Sequence, residues 1–240
     1  MIRTASSLGT ALLLFSLSAC NSNDGPVALQ HQNSYSNSSR TFVSSRSGSR
    51  SAGSLLSDVR LKKDILSRSC RGRTGRSMSP RYITIHSTQN WSPGADSLRH
   101  ALALKRNALG RISWHFTTDE NRAVQHLPCS EQGNHADHDG PGNHYSVGIE
   151  MCEHPGNSRE ATLDRTAKLA AYLMVEHDIP LSRVVPHYHW PRWGKNPPNK
   201  NCPHFLMTNG KPGLKWRSFL SRVGRYHDQI SRPSKVYARR

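Results

Sequence analysis

The chain has 240 residues, of which 35% are hydrophobic, and a formal net charge of +17 from 33 Lys+Arg against 16 Asp+Glu. That leaves room for one ordinary domain beside unpacked sequence and excludes two well-filled cores. The positive balance favours polyanionic surroundings such as cell-wall polymer, lipid head groups or nucleic acid, and by itself chooses none of them.

A basic start at Arg3 precedes an apolar run over 8–17 and then Leu17-Ser18-Ala19-Cys20. A run of roughly ten residues is too short to cross ~30 Å of hydrocarbon as a helix and reads as the core of a secretory signal. Residues 1–20 resemble a bacterial lipoprotein signal peptide, which implies a lipid on Cys20 and a membrane anchor; a plain secretory signal is the alternative. Asn21 stands where an aspartate would retain such a lipoprotein in the inner membrane, so the resemblance implies the periplasmic face of the outer membrane in a Gram-negative host. Residues 21–57 are rich in Ser, Asn, Gly and Arg with little apolar periodicity, and are expected to be a disordered tether.

Ordered sequence is expected over 58–230, followed by a basic tail over 231–240 that reads as a solvated end. Strands are expected at 82–86, where β-branched and aromatic residues alternate, at 112–117 and 123–127 around the turn Thr118-Asp119-Glu120-Asn121, and at 146–152. Helices are expected at 95–108, at 159–177 and at 213–230. In the second of these Leu163, Ala167, Ala170 and Met174 recur on one face, and Asn157 with Glu160 form an N-terminal cap pair. Strands interleaved with helices place the chain in the α/β class. Cys70, Cys129 and Cys152 cannot all pair with one another, and spacing leaves their connectivity open.

Four residues each close a local motif: His86 ends Tyr82-Ile83-Thr84-Ile85-His86, Glu150 ends Val147-Gly148-Ile149-Glu150, His187 follows Pro186, and Cys202 lies in Lys200-Asn201-Cys202-Pro203. Two imidazoles and one thiolate suit a tetrahedral zinc ion with its fourth position open, and a nearby carboxylate would make that site a hydrolase.

These motifs, together with Ser113-Trp114-His115-Phe116, His135-Ala136 and Gly140-Pro141-Gly142-Asn143, occur in the order found in the type 2 N-acetylmuramoyl-L-alanine amidases. The chain resembles that family, relatives of phage lysozyme-like amidases and peptidoglycan recognition proteins, over most of 58–223, and most resembles its endolysin branch. The resemblance implies a single domain built on a central mixed sheet flanked by helices, a Zn2+ cofactor on His86, His187 and Cys202, and Glu150 as general base. It implies Lys200 beside the oxyanion and substrate contacts from Trp114, His115 and His135. It also implies cleavage of the bond between N-acetylmuramic acid and L-alanine in peptidoglycan. The expected partners are peptidoglycan and, through Cys20, a membrane, with no nucleic-acid reader motif and a monomeric chain.

Some choices stay open in the sequence. His189 competes with His187, and the resemblance favours His187 with His189 behind it; Lys195-Asn196 imitates Lys200-Asn201, and proximity to Cys202 favours Lys200. Cys202 follows His187 by 15 positions, longer than usual in this branch, and 191–198 reads as a loop insertion that costs little entropy. Core packing is the alternative for Trp114. Recycling of anhydro-muropeptides and binding without catalysis are the alternative functions.

Overall fold

A computed structural model of the protein describes residues 50–230. The signal segment with Cys20, most of the tether and the basic tail lie outside the described residues. Within them runs a six-stranded mixed sheet with helices packed against it.

Within it, β2 (Tyr82–Ser87) and β5 (Ser146–Met151) form a parallel pair whose register sets His86 opposite Glu150. Period-two alternation explains what each face carries. Ile83, Ile85, Val147, Ile149 and Met151 enter the main apolar core. Thr84, His86, Gly148 and Glu150 occupy the opposite face. Outward from β2 lies β6 (Val184–Pro186), also parallel. Outward from β5 lie β3 (Phe116–Thr118), antiparallel β4 (Ala123–Gln125) and the edge strand β1 (Leu61–Lys63).

The core is closed by three helices. α1 (Ala52–Val59) and α5 (Leu214–Gln229) both pack on α4 (Arg159–Glu176). α4 buries Ala167, Leu169, Ala170, Leu173 and Met174, and α5 adds Trp216, Phe219 and Val223. Burying each large apolar side chain contributes about 1.5–3 kcal/mol before entropy is counted. On the other side of the sheet, α2 (Ser97–Lys105) is capped by the Asp96 side chain and packs near β3 and β4, and α3 (Pro141–Tyr145) leads into β5.

Three expectations change, and the open question of cysteine pairing is answered. Unpacked sequence does not extend to residue 57: α1 is ordered because Ser51 caps it and Leu55 and Val59 are completely buried. The strand expected at 112–117 is only Phe116–Thr118, since Ile112 is 54% exposed and Ser113 bonds back to Asn134 rather than to a neighbouring strand. Ser158, not Asn157, caps α4. Asn157 instead accepts from the Glu120 N–H and the Thr162 hydroxyl, joining the β3–β4 turn to the helix entry. Finally, Cys70, Cys129, Cys152 and Cys202 are all free thiols. Among the described residues no helix is long and apolar enough to cross a membrane.

Candidate active site

His86 projects from the end of β2, His187 opens the short 3-10 turn after β6, and Cys202 lies on the returning loop, where its carbonyl accepts from the Tyr188 N–H at 3.1 Å. All three are buried, and one ligand atom from each lies within 4.8 Å of the other two. This group could hold a metal ion.

Hydrogen bonds behind the ligands assign the ring protons. His135 donates from Nε2 to the Ser146 carbonyl at 3.2 Å, which leaves its Nδ1 to accept from His86 Nε2 at 3.0 Å. His86 Nδ1 is therefore bare. His187 donates from Nε2 to the Ala136 carbonyl at 3.0 Å, so its Nδ1 is bare as well. The two bare nitrogens face each other at 2.9 Å, with Cys202 Sγ 4.0 Å from His86 Nδ1. Facing lone pairs repel unless a cation sits among them, and fixed tautomers of this kind are the usual second layer of a metal site. The donor set, two neutral imidazoles and a sulfur with no fourth protein ligand among the described residues, suits zinc with an open corner.

Glycine at position 148 makes this layer possible. A Cβ added to Gly148 would lie 2.8 Å from His135 Nδ1, so only a bare backbone lets that ring lie across the sheet.

The electrostatics agree. Burial, reinforced by the His187, His135 and Lys200 charges, holds His86 well below the usual imidazole range. Burial and then Lys200 bring His187 down to about 4, so both rings are neutral at physiological pH. Burial and the Glu150 charge push the Cys202 thiol up to about 12, against the Ser87 N–H that donates to its sulfur at 3.4 Å. A bound dication would overturn that and stabilise the thiolate.

Glu150 Oε1 stands 3.8 Å from His86 Nδ1, and its buried Oε2 has no hydrogen-bond partner. Burial pushes this carboxyl up to about 8, while the Lys200 charge pulls it down. Glu150, Lys200, His86, His135 and His187 line a single cleft of about 1100 Å³.

The competing residues occupy different places. His187 belongs to the ligand group; His189 is exposed and lies against the Tyr82 and Trp190 rings. Lys200 lines the cleft, and Lys195 is exposed on the inserted loop. Trp114 packs with Leu66, Leu104 and Leu127, donates to Thr117 Oγ1, and lines the cleft.

His115 lies elsewhere. It is fully buried, with Nε2 donating to the Glu131 carbonyl and Nδ1 accepting from the Gly148 N–H, so neither nitrogen is free for substrate and it does not line the cleft. His135 sits behind His86 as described. Sequence reasoning missed Asn143, whose Oδ1 accepts from the N–H groups of both His135 and Ala136, the two residues that fix the ligand tautomers. Its position inside Gly140-Pro141-Gly142-Asn143 was the available signal.

The pattern of the N-acetylmuramoyl-L-alanine amidase family matches residues 76–205. The N-acetylmuramoyl-L-alanine amidase CwlH of Bacillus subtilis (strain 168) is 40% identical over 167 residues, 69% of this chain and 61% of CwlH. The chain thus spans about three fifths of that relative's length. The solved catalytic domain of XlyA is 39% identical with a TM-score of 0.61, covering 69% of this chain and 100% of that one. A mutant endolysin from Bacillus subtilis gives 38% identity and a TM-score of 0.61, covering 69% of this chain and 99% of that one.

Proposed function

The chain belongs to the N-acetylmuramoyl-L-alanine amidase family, and from that premise we propose that it hydrolyses the amide between the lactyl group of N-acetylmuramic acid and L-alanine in peptidoglycan, using zinc held by His86, His187 and Cys202. The observation that carries the reading is the pair of bare imidazole nitrogens 2.9 Å apart beside a buried sulfur and a carboxylate in register.

When bound, zinc supplies a Lewis acid for the scissile carbonyl and brings the pKa of a water down to about 7. Everything else comes from side chains. Glu150 removes the proton of the attacking water and passes it to the leaving amine. Its carboxylate form is favoured by the Lys200 ammonium and by the charge of the ion. Lys200 offsets the negative charge that develops on the carbonyl oxygen. His135 and the Ala136 carbonyl keep the two ligand rings turned, so no reorganisation is needed during the reaction. Cys202 and Glu150 together favour hydrolysis over mere binding of muropeptides.

The proposed envelope location rests on Leu17-Ser18-Ala19-Cys20, with Cys20 as the lipidation site, and Cys20→Ala should release the protein from membranes. For the reaction, mass spectrometry of digested sacculi is the test. Peptides beginning with a free L-alanine amine support the reading, and their absence with zinc-loaded protein overturns it.

A further inference from the structure

Glu153 is a buried carboxylate that the reaction does not use. It stands just past the end of β5, on the same segment as Glu150, with its side chain only 2% exposed. A carboxylate taken out of water is costly unless its oxygens are engaged. Here Oε1 accepts from the Gln89 N–H at 3.0 Å, and Oε2 faces His204 Nε2 at 3.3 Å, a charge contact rather than an aligned hydrogen bond.

Both of these partners lead to Cys202. Gln89 lies in the left-handed region at φ 48°, a backbone that a residue with a side chain keeps only where its surroundings hold it. From there its side-chain amide donates to the Asn201 carbonyl at 3.4 Å. On the other arm, the carboxylate keeps the His204 ring proton on Nε2, which leaves Nδ1 to accept from the Ser87 hydroxyl at 3.2 Å. The Ser87 oxygen in turn accepts from the His204 backbone N–H at 3.2 Å, and the Ser87 N–H donates to Cys202 Sγ at 3.4 Å. Asn201 and His204 bracket Cys202-Pro203, so a single carboxylate pins the loop of the sulfur from both sides. His135 and the Ala136 carbonyl orient the two imidazoles, and the sulfur has this separate set of supports.

We propose that Glu153 is a positioning residue of the metal site, which fixes the Cys202 sulfur for zinc by holding Gln89 on one side and His204 on the other. The inference rests on the zinc reading of His86, His187 and Cys202. Groups that hold a ligand in place govern metal affinity although they never touch the ion.

The test measures the effect of E153Q on zinc affinity, against a competing chelator, in three backgrounds: wild type, Cys202→Ser and His135→Ala. Urea denaturation of the metal-free proteins identifies the folded variants. E153Q keeps an amide oxygen for Gln89 and loses the charge that faces His204. It lowers affinity by about 10–100-fold in the wild-type background. The loss is similar in His135→Ala, which acts on His86, and falls below about twofold in Cys202→Ser, where the atom to be placed is gone. His204→Asn, which keeps an acceptor for the Ser87 hydroxyl and is too short to meet Glu153, gives the same pattern and decides the matter if E153Q does not fold. Unchanged affinity, or an equal loss in all three backgrounds, overturns the positioning role and leaves the zinc reading standing. A wild type that binds no zinc overturns the zinc reading, and the positioning role with it.

Discussion

His86 Nδ1 and His187 Nδ1 lie 2.9 Å apart although each ring donates its only proton from Nε2, to His135 and to the Ala136 carbonyl respectively. That contact is favourable only with a cation between the rings and Cys202. Stripping the metal with a strong chelator should abolish hydrolysis and lower the melting temperature, and added Zn2+ should restore both. Cys202→Ser should bind less than stoichiometric zinc by elemental analysis.

His135 acts through His86. His135→Ala should lower zinc affinity by about 10–100-fold, measured against a competing chelator, because the ring loses its orienting acceptor. Saturating zinc should recover much of the activity, which replacement of a true ligand would not allow.

Lys200→Met should lower kcat by about a hundredfold with little change in KM, since the charge opposes one that develops only in the transition state. Lys195→Met, altering the exposed lysine of the inserted loop, should leave kcat within about twofold of wild type. Steady-state kinetics on soluble muropeptide separates the two.

Asp119 should make stability depend on pH. Burial raises its pKa, but the Ser97 hydroxyl and N–H with the Arg122 and Asn121 N–H groups outweigh it, and the folded-state value lies below the ordinary one. A depressed carboxyl stabilises the fold above its unfolded pKa and loses that contribution as pH falls through the folded value. Asp119→Asn should cost about 1–3 kcal/mol at pH ~7. The cost should shrink at a pH below the folded-state value, where the wild-type carboxyl is also neutral. Urea denaturation at both pH values checks the sign.

Leu55→Ala should destabilise the domain by about 2–5 kcal/mol in the same assay, because Leu55 is completely buried on α1. A negligible effect would return that helix to the tether.

What the sequence made legible follows from how local each signal is. His86 and Glu150 stand at the ends of alternating strands, and His187 and Cys202 sit beside prolines, so short windows reveal them. α1 was obscured because its flanks are Ser- and Gly-rich, and two apolar positions show their weight only once they pack on α4. β1, Leu61–Lys63, has no alternating pattern and owes its strand state to pairing with β4. His115 sits in a quoted motif yet serves the backbone; a motif gives proximity to a site, and only geometry tells whether the ring faces substrate or carbonyl. The tautomer relay through His135, Ser146 and Asn143 joins residues far apart in the chain and has no local signature.

The central claim concerns what lies among His86, His187 and Cys202, and zinc K-edge X-ray absorption on the zinc-loaded protein reads it directly. The account predicts two imidazole nitrogens at about 2.0–2.1 Å, one sulfur at about 2.3 Å and one further light atom, with the sulfur shell lost in Cys202→Ser. A zinc shell without sulfur, or one unaltered in Cys202→Ser, would contradict it.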